Sequence, residues 1–399
     1  MRSSPGLSQR DSHPVGGWFD QPPRLLVRSE KEARMSSTDL ASVGDHFIVG
    51  LRSTTSLHPA DRALLRDLRP AGVILYKSNF GHDLPYEAWL SDHAKLVSAI
   101  REEVGRDRLF IAIDHEAGRV CRTPPPITRY GYARSWGANA GAVGAAMGVE
   151  LASLGINLSF APVLDIDSNP KNPVIGGRSF DRTAEGVIAK ALEFAKQMEA
   201  NGVRACGKHF PGHGDTQVDS HLELPVIDAT LDELRRRELL PFAAASKAGF
   251  GMIMTSHILF KAIDPDWPAT LSRKITHGLL REELGFEGVI VSDDVGMRAV
   301  SRLFDNPDMA VNFMAAGNDM LMICAHWADT ERARPLAGRL VEARRSGALD
   351  TSDLDRSKAR IATMLETTPQ NKVSALSDDV FRRHAEAGTL FSDETEEVI

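Results

Sequence analysis

Between Lys208 and His221 the chain gathers one lysine, three histidines and two aspartates within fourteen residues. The run Lys208-His209-Phe210-Pro211-Gly212-His213-Gly214 is followed by Asp219-Ser220-His221. Packing does not call for such density, because each titratable group costs energy to bury unless it is paired. Proton transfer does call for it. An imidazole near its ordinary pKa of about 6.5 gives and takes protons around neutrality. Asp219, two residues before His221, can hydrogen-bond one ring nitrogen, fix the tautomer and raise basicity. The plain alternative is a loop histidine that caps a turn, which the neighbouring Lys208 and His213 make less attractive.

A second concentration of chemistry lies at Val291-Ser292-Asp293-Asp294. Side chains alternate along a strand, so one of the two carboxylates is expected to face the site and the other to turn away. A carboxylate there can serve as nucleophile, metal ligand or base. Glycoside hydrolysis needs an acid/base and a carboxylate on opposite faces of one bond, and His221 with Asp293 would make such a pair. Asp114, Arg122 and Arg178 are suited to gripping a polyhydroxyl ligand through paired hydrogen bonds. Arg119 reads more simply as a surface salt bridge. Metal chemistry is the runner-up, with His209, His213, His221, His257 and Asp293 as ligands. However, Pro211, Gly212 and Gly214 deny His209 and His213 a helical spacing.

These groups need a scaffold. Short apolar runs recur at 47–49, 73–76, 110–113, 158–160, 203–206, 252–254, 289–291 and 320–323. Between most of them, apolar residues at three- and four-residue intervals predict helices over 61–68, 87–104, 184–201, 231–248, 272–284 and 309–316. Strands alternating with helices imply βαβ units and a parallel sheet. Eight such strands predict an α/β fold, a (β/α)8 barrel of the TIM-like type. The polar residues support it: Asp114, Asp165, Lys208 with His209, His257, and Asp293 with Asp294 each follow a predicted strand. In a barrel all would converge on the C-terminal mouth. An open doubly wound sheet is the alternative, but no G-x-G-x-x-G follows the first strand.

Composition narrows the class. A net charge of −7 argues against a nucleic-acid surface, and no apolar run approaches the 18 or so residues of a membrane span. Three cysteines far apart suggest no disulfide framework, which fits a reducing compartment. Residues 1–37 lack the apolar core of a secretory signal and read as a disordered extension, with Met35 as a second possible start. The expected organisation is that arm, a barrel over 38–368, and a peripheral tail over 369–399 with a helix at 378–387.

The motifs, taken in order, resemble the bacterial β-N-acetylhexosaminidases of glycoside hydrolase family 3. They are Gly72-Val73-Ile74-Leu75, the run from Ile113 to Val120, the run from Asn157 to Asp165, Gly177-Arg178-Ser179-Phe180, Lys208 to Gly214 with Asp219-Ser220-His221, and Val291 to Asp294. The resemblance covers about 45–323. It implies a retaining exo-β-N-acetylglucosaminidase acting on muropeptides during cell-wall recycling in the cytoplasm. Asp293 is then the nucleophile, His221 the acid/base and Asp219 its orienting partner. Asp114, Arg122, Arg178, Lys208 and His209 hold the non-reducing sugar. His213 is structural, and Gly212 and Gly214 would let the loop move. No cofactor or metal is implied. The only expected partner is a small-molecule glycan, and the chain is expected to be a monomer with no room for the second domain of some relatives. Ala117, Cys121 and Asp294-Val295-Gly296-Met297 depart from the usual pattern. Phosphorolysis with phosphate as acceptor, and a non-catalytic sugar-binding barrel, remain as alternatives.

Overall fold

The chain's strands are apolar almost throughout, as strands must be when both faces of a parallel sheet are covered. The computed structural model describes residues 35–216, 223–325 and 329–391. Among these, ten strands form: β1 Phe47–Gly50, β2 Gly72–Leu75, β3 Phe110–Ile113, β4 Leu158–Ser159, β5 Arg204–Phe210, β6 Val226–Ile227, β7 Met252–Thr255, β8 Leu259–Phe260, β9 Val289–Asp294 and β10 Met320–Ile323. Eight close into a barrel in the order β1-β10-β9-β7-β5-β4-β3-β2. Every pairing is parallel, including the closing pair of β1 with β10. β6 and β8 make a separate two-stranded ribbon.

Alternation along each strand splits the core in two. Ile48, Ile74, Phe110, Ala112, Leu158, Cys206, Met252, Met254, Val289, Val291, Met320 and Met322 form one buried cluster, joined by Ile361, Met364 and Leu365. The last three come from the helix Thr351–Thr367, which stoppers the barrel interior. The intervening residues, such as Val49, Val73, Ile111, Ile253 and Ile290, belong to the larger cluster shared with the surrounding helices.

The predicted helices fall close to their spans, although 272–284 forms as a π-helix over Lys274–Glu283, and Ala333–Ser346 and Thr351–Thr367 add helices outside the predicted spans. The span 231–248 divides into Leu231–Arg236 and Leu239–Lys247, because Arg237 leaves helical geometry. A helix over Ala140–Ser153 was not predicted from periodicity. Its Gly144 packs so closely on the helix Ala184–Ala200 that an added Cβ would sit 2.3 Å from the Phe194 carbonyl oxygen. Small residues on that face are the packing signal, and they carry no apolar stripe to read.

The tail corrects the expectation of a peripheral segment. Asn371 donates to the carbonyls of Ile156 (2.6 Å) and Gly202 (2.9 Å), at the base of β4 and β5. The helix Asp378–Ala385 buries Phe381 edge-on against Tyr86. Tyr130 donates to the His384 carbonyl, and the His384 ring meets Glu150 at 2.7 Å. At the other end, the helix Ser37–Ala41 starts at the edge of the expected arm and buries Leu40. Of the extension expected over 1–37, residues 1–34 lie outside the described residues. No described helix is long and apolar enough to cross a membrane.

Candidate active site

The strand ends deliver polar groups to one cavity of about 950 Å3, whose lining includes Asp114, Arg122, Asp293, Asp294, Tyr76 and Met297. Lys208 is in β5 rather than after it, and is 3% exposed. A buried ammonium is tolerable only with its charge balanced. Its Nζ reaches Asp114 Oδ1 at 2.7 Å and Glu116 Oε1 at 2.5 Å. Burial works against the charged lysine, but Asp114 and Glu116 outweigh it and raise its pKa.

Glu116 also takes a two-pronged grip from Arg178, Nε and Nη2 each at 2.8 Å. Burial opposes its ionisation, yet Arg178 and Lys208 hold its carboxyl well below the usual carboxylate range. Asp114, Lys208, Glu116 and Arg178 thus form one alternating chain of charges beside the cavity. Arg122 enters from the loop beyond β3, its guanidinium 5.6 Å from the centre of the Tyr76 ring.

His209 belongs to a second array. Its Nδ1 lies 2.6 Å from Asp165 Oδ2, and Asp165 also accepts the backbone N–H groups of His209 and, at 2.7 Å, of His213. Burial pushes the Asp165 carboxyl up, but attraction to His209 prevails and lowers it. The ring of His213 is buried against Thr216 Oγ1 at 2.9 Å, and burial pushes it down to about 4. That is the environment of a structural, neutral imidazole. Gly214 is set by close approach rather than by freedom: a Cβ there would lie 1.6 Å from the Ile166 carbonyl oxygen. His257 spends both ring nitrogens, on Thr270 Oγ1 (2.8 Å) and the Asp294 carbonyl (3.1 Å). Among the described residues no group of three or more His, Cys, Asp or Glu is arranged to hold a metal ion.

Of the residues singled out from sequence, Asp114, Arg122 and Asp293 share the cavity wall. Lys208 is bound to Asp114, Arg178 joins through Glu116, and His209 sits on Asp165. Asp219 and His221 lie outside the described residues. Arg119 is exposed and donates to the Val174 carbonyl at 2.6 Å, so it ties two loops together; among the described residues it forms no salt bridge of the kind expected. Asp293 and Asp294 both line the cavity, against the expectation that one turns away. The cause is a slip in register: Met320 pairs with Val291 but Met322 with Asp294, so β9 carries one extra residue there. Asp165 was expected at the barrel mouth but given no role there, and Glu116 was given no role from sequence. Glu116 stands two residues after Asp114, and the signal available was that two buried cations need a second carboxylate.

The chain matches the glycosyl hydrolase family 3 N terminal domain over residues 41–364. It is 38% identical to the "Beta-hexosaminidase A" of Pseudoalteromonas piscicida over 80% of this chain, spanning only 57% of that protein. It is also 38% identical to the "Beta-hexosaminidase" of Thioalkalivibrio sulfidiphilus over 68% of this chain and 78% of that one. Among solved structures, a family 3 beta-N-acetylglucosaminidase from Paenibacillus aligns over 89% of this chain and 66% of its own, with TM-score 0.76 and 34% identity. NagZ from Neisseria gonorrhoeae, in complex with N-trifluoroacetyl-D-glucosamine, aligns over 86% of this chain and 96% of its own, with TM-score 0.69 and 30% identity. The closed barrel, the charged strand ends and these matches agree: the chain belongs to glycosyl hydrolase family 3.

Proposed function

We propose that this chain is a retaining exo-β-N-acetylglucosaminidase that removes terminal β-linked N-acetylglucosamine from peptidoglycan fragments in the cytoplasm. The observation that carries the reading is Asp293, at the end of β9, facing the cavity that Asp114 and Arg122 also line. The alternating charges of Asp114, Lys208, Glu116 and Arg178 supply rigid donors and acceptors for sugar hydroxyls, held before substrate arrives.

Asp293 attacks the anomeric carbon as the glycosidic bond breaks, giving a glycosyl-enzyme, which water then cleaves. Its Oδ1 accepts the Asp294 backbone N–H at 2.8 Å, which fixes the direction of attack. His221, oriented by Asp219, gives its proton to the leaving oxygen and then takes one from the water. His209, anchored on Asp165, and the Arg122 guanidinium complete the grip on the sugar. The working unit is proposed as a monomer.

A slow fluorinated N-acetylglucosaminyl substrate tests the reading. Mass spectrometry should find the sugar covalently attached to Asp293. Asp293→Ala should lower kcat for an aryl N-acetyl-β-glucosaminide by roughly 10⁴-fold or more. A labelled residue elsewhere, or turnover at the parent rate in the variant, would sink the assignment.

A further inference from the structure

β9 ends in two carboxylates, and the reaction as proposed uses only the first. Asp294 is 2% exposed. Its Oδ1 accepts the backbone N–H groups of Gly296 at 2.8 Å and Cys324 at 3.1 Å, tying the end of β9 to the end of β10. Its own backbone N–H is the group that meets Asp293 Oδ1. The remaining carboxyl oxygen, Oδ2, is buried and has no hydrogen-bond partner among the described residues. Ionised, that oxygen would be a bare buried charge beside a second carboxylate, and both features are costly. Protonation removes both.

The titratable neighbours come from every strand end packed around it. Asp293 lies on the same strand, Cys324 follows β10 and Tyr76 follows β2; Asp114, after β3, acts on Tyr76 and Cys324 in turn. His257, after β7, touches the Asp294 carbonyl. Burial above all, with the Asp293 charge in support, drives the Asp294 carboxyl up to about 7 against the pull of the Gly296 and Cys324 amides and the Cys324 thiol.

We infer that Asp294 works as a neutral carboxylic acid, pinned by the Gly296 and Cys324 amides, and positions its own amide against the nucleophile Asp293. This inference rests on Asp293 being the nucleophile. Asp294 touches no reacting atom and is a positioning residue. When it ionises, the bare oxygen must find a donor or solvent, the end of β9 shifts, and the amide loses its aim. Below its pKa the acid is neutral and the site is set; activity therefore falls as pH rises through about 7.

The test is the profile of kcat/KM from pH 5 to 9 for a 2,4-dinitrophenyl N-acetyl-β-glucosaminide. That leaving group departs without a proton, so the titration of His221 drops out. Asp294→Ala loses the anchor and should fall about 100-fold, the effect of misaiming a reacting group by about 1 Å. Asp294→Asn keeps an acceptor and stays neutral; it should be at least about tenfold more active than the alanine variant and should lack the parent's alkaline fall. Equal losses in the two variants, or an unchanged alkaline limb in Asp294→Asn, would overturn the inference. If the alanine variant does not fold, the asparagine profile against the parent still decides. Failure of the nucleophile assignment shows separately, as a covalent label missing from Asp293 in the parent enzyme.

Discussion

The Glu116 side chain touches two buried cations at once, and that is why it matters more than its place in the sequence suggested. Lys208 and Arg178 are both nearly sealed from water, and Asp114 alone cannot balance them. Replacing Glu116 by Gln leaves two cations facing one carboxylate. Removing one partner from such an array typically costs about 3 kcal/mol or more. Glu116→Gln should therefore lower unfolding stability by about that amount and depress kcat/KM at least about tenfold, because Lys208 and Arg178 lose their fixed positions. Urea unfolding and steady-state kinetics check both; parent-like values in both would show that the array is not held by Glu116. Asp114, Lys208 and Asp293 were legible in the sequence because a charge at the end of an apolar run has few structural reasons to be there. Asp165 was placed at the mouth by the same rule, but its hold on His209 and His213, like the part played by Glu116, was not legible. Their role is to neutralise other site residues, which only the three-dimensional pairing displays.

At the level of elements, positions of the strands were readable and their ends were not. β5 runs on through Lys208 and His209 to Phe210, because carboxylates from neighbouring loops satisfy those polar groups inside the sheet. The extra residue in β9 was equally hidden, since a register slip depends on the partner strand. The loop after β3 carries a local strain. Ala117 has φ +77°, a left-handed conformation that suits glycine, and it precedes Gly118 at φ +53°. Together they turn the chain so that Glu116 N–H can bond the Val120 carbonyl and bring Arg122 back to the cavity. A left-handed alanine costs about 1 kcal/mol. Ala117→Gly should raise unfolding stability by up to about 1 kcal/mol with kcat little altered. A destabilised variant in urea would mean that the Ala117 side chain, 3% exposed, contributes more by packing than the backbone loses by strain.

For the molecule as a whole, the eightfold alternation of strand and helix made the barrel legible, but the tail was misjudged. Its sequence is charged and short of apolar residues, and its anchorage is spread over Phe381 against Tyr86, Phe391 against Tyr132, Val373 and Leu376 on the core, and polar bonds from Asn371 and His384. Deleting a buried phenyl group costs about 3 kcal/mol, whereas a surface substitution changes stability by about 0.5 kcal/mol or less. Phe381→Ala should show the larger loss in chemical denaturation; a change near zero would restore the view of a loosely attached tail. The closing pair of the sheet has a further consequence, in the order of events during synthesis. Phe47 pairs with Leu321, so one edge of β1 waits for a partner until nearly all of the barrel has emerged from the ribosome. At bacterial-like elongation speeds that wait lasts on the order of tens of seconds. Throughout it, the nascent chain presents an open, apolar strand edge of the kind that recruits other chains. The finished sheet has no such edge, so the hazard belongs to the newborn protein and ends when the ring shuts.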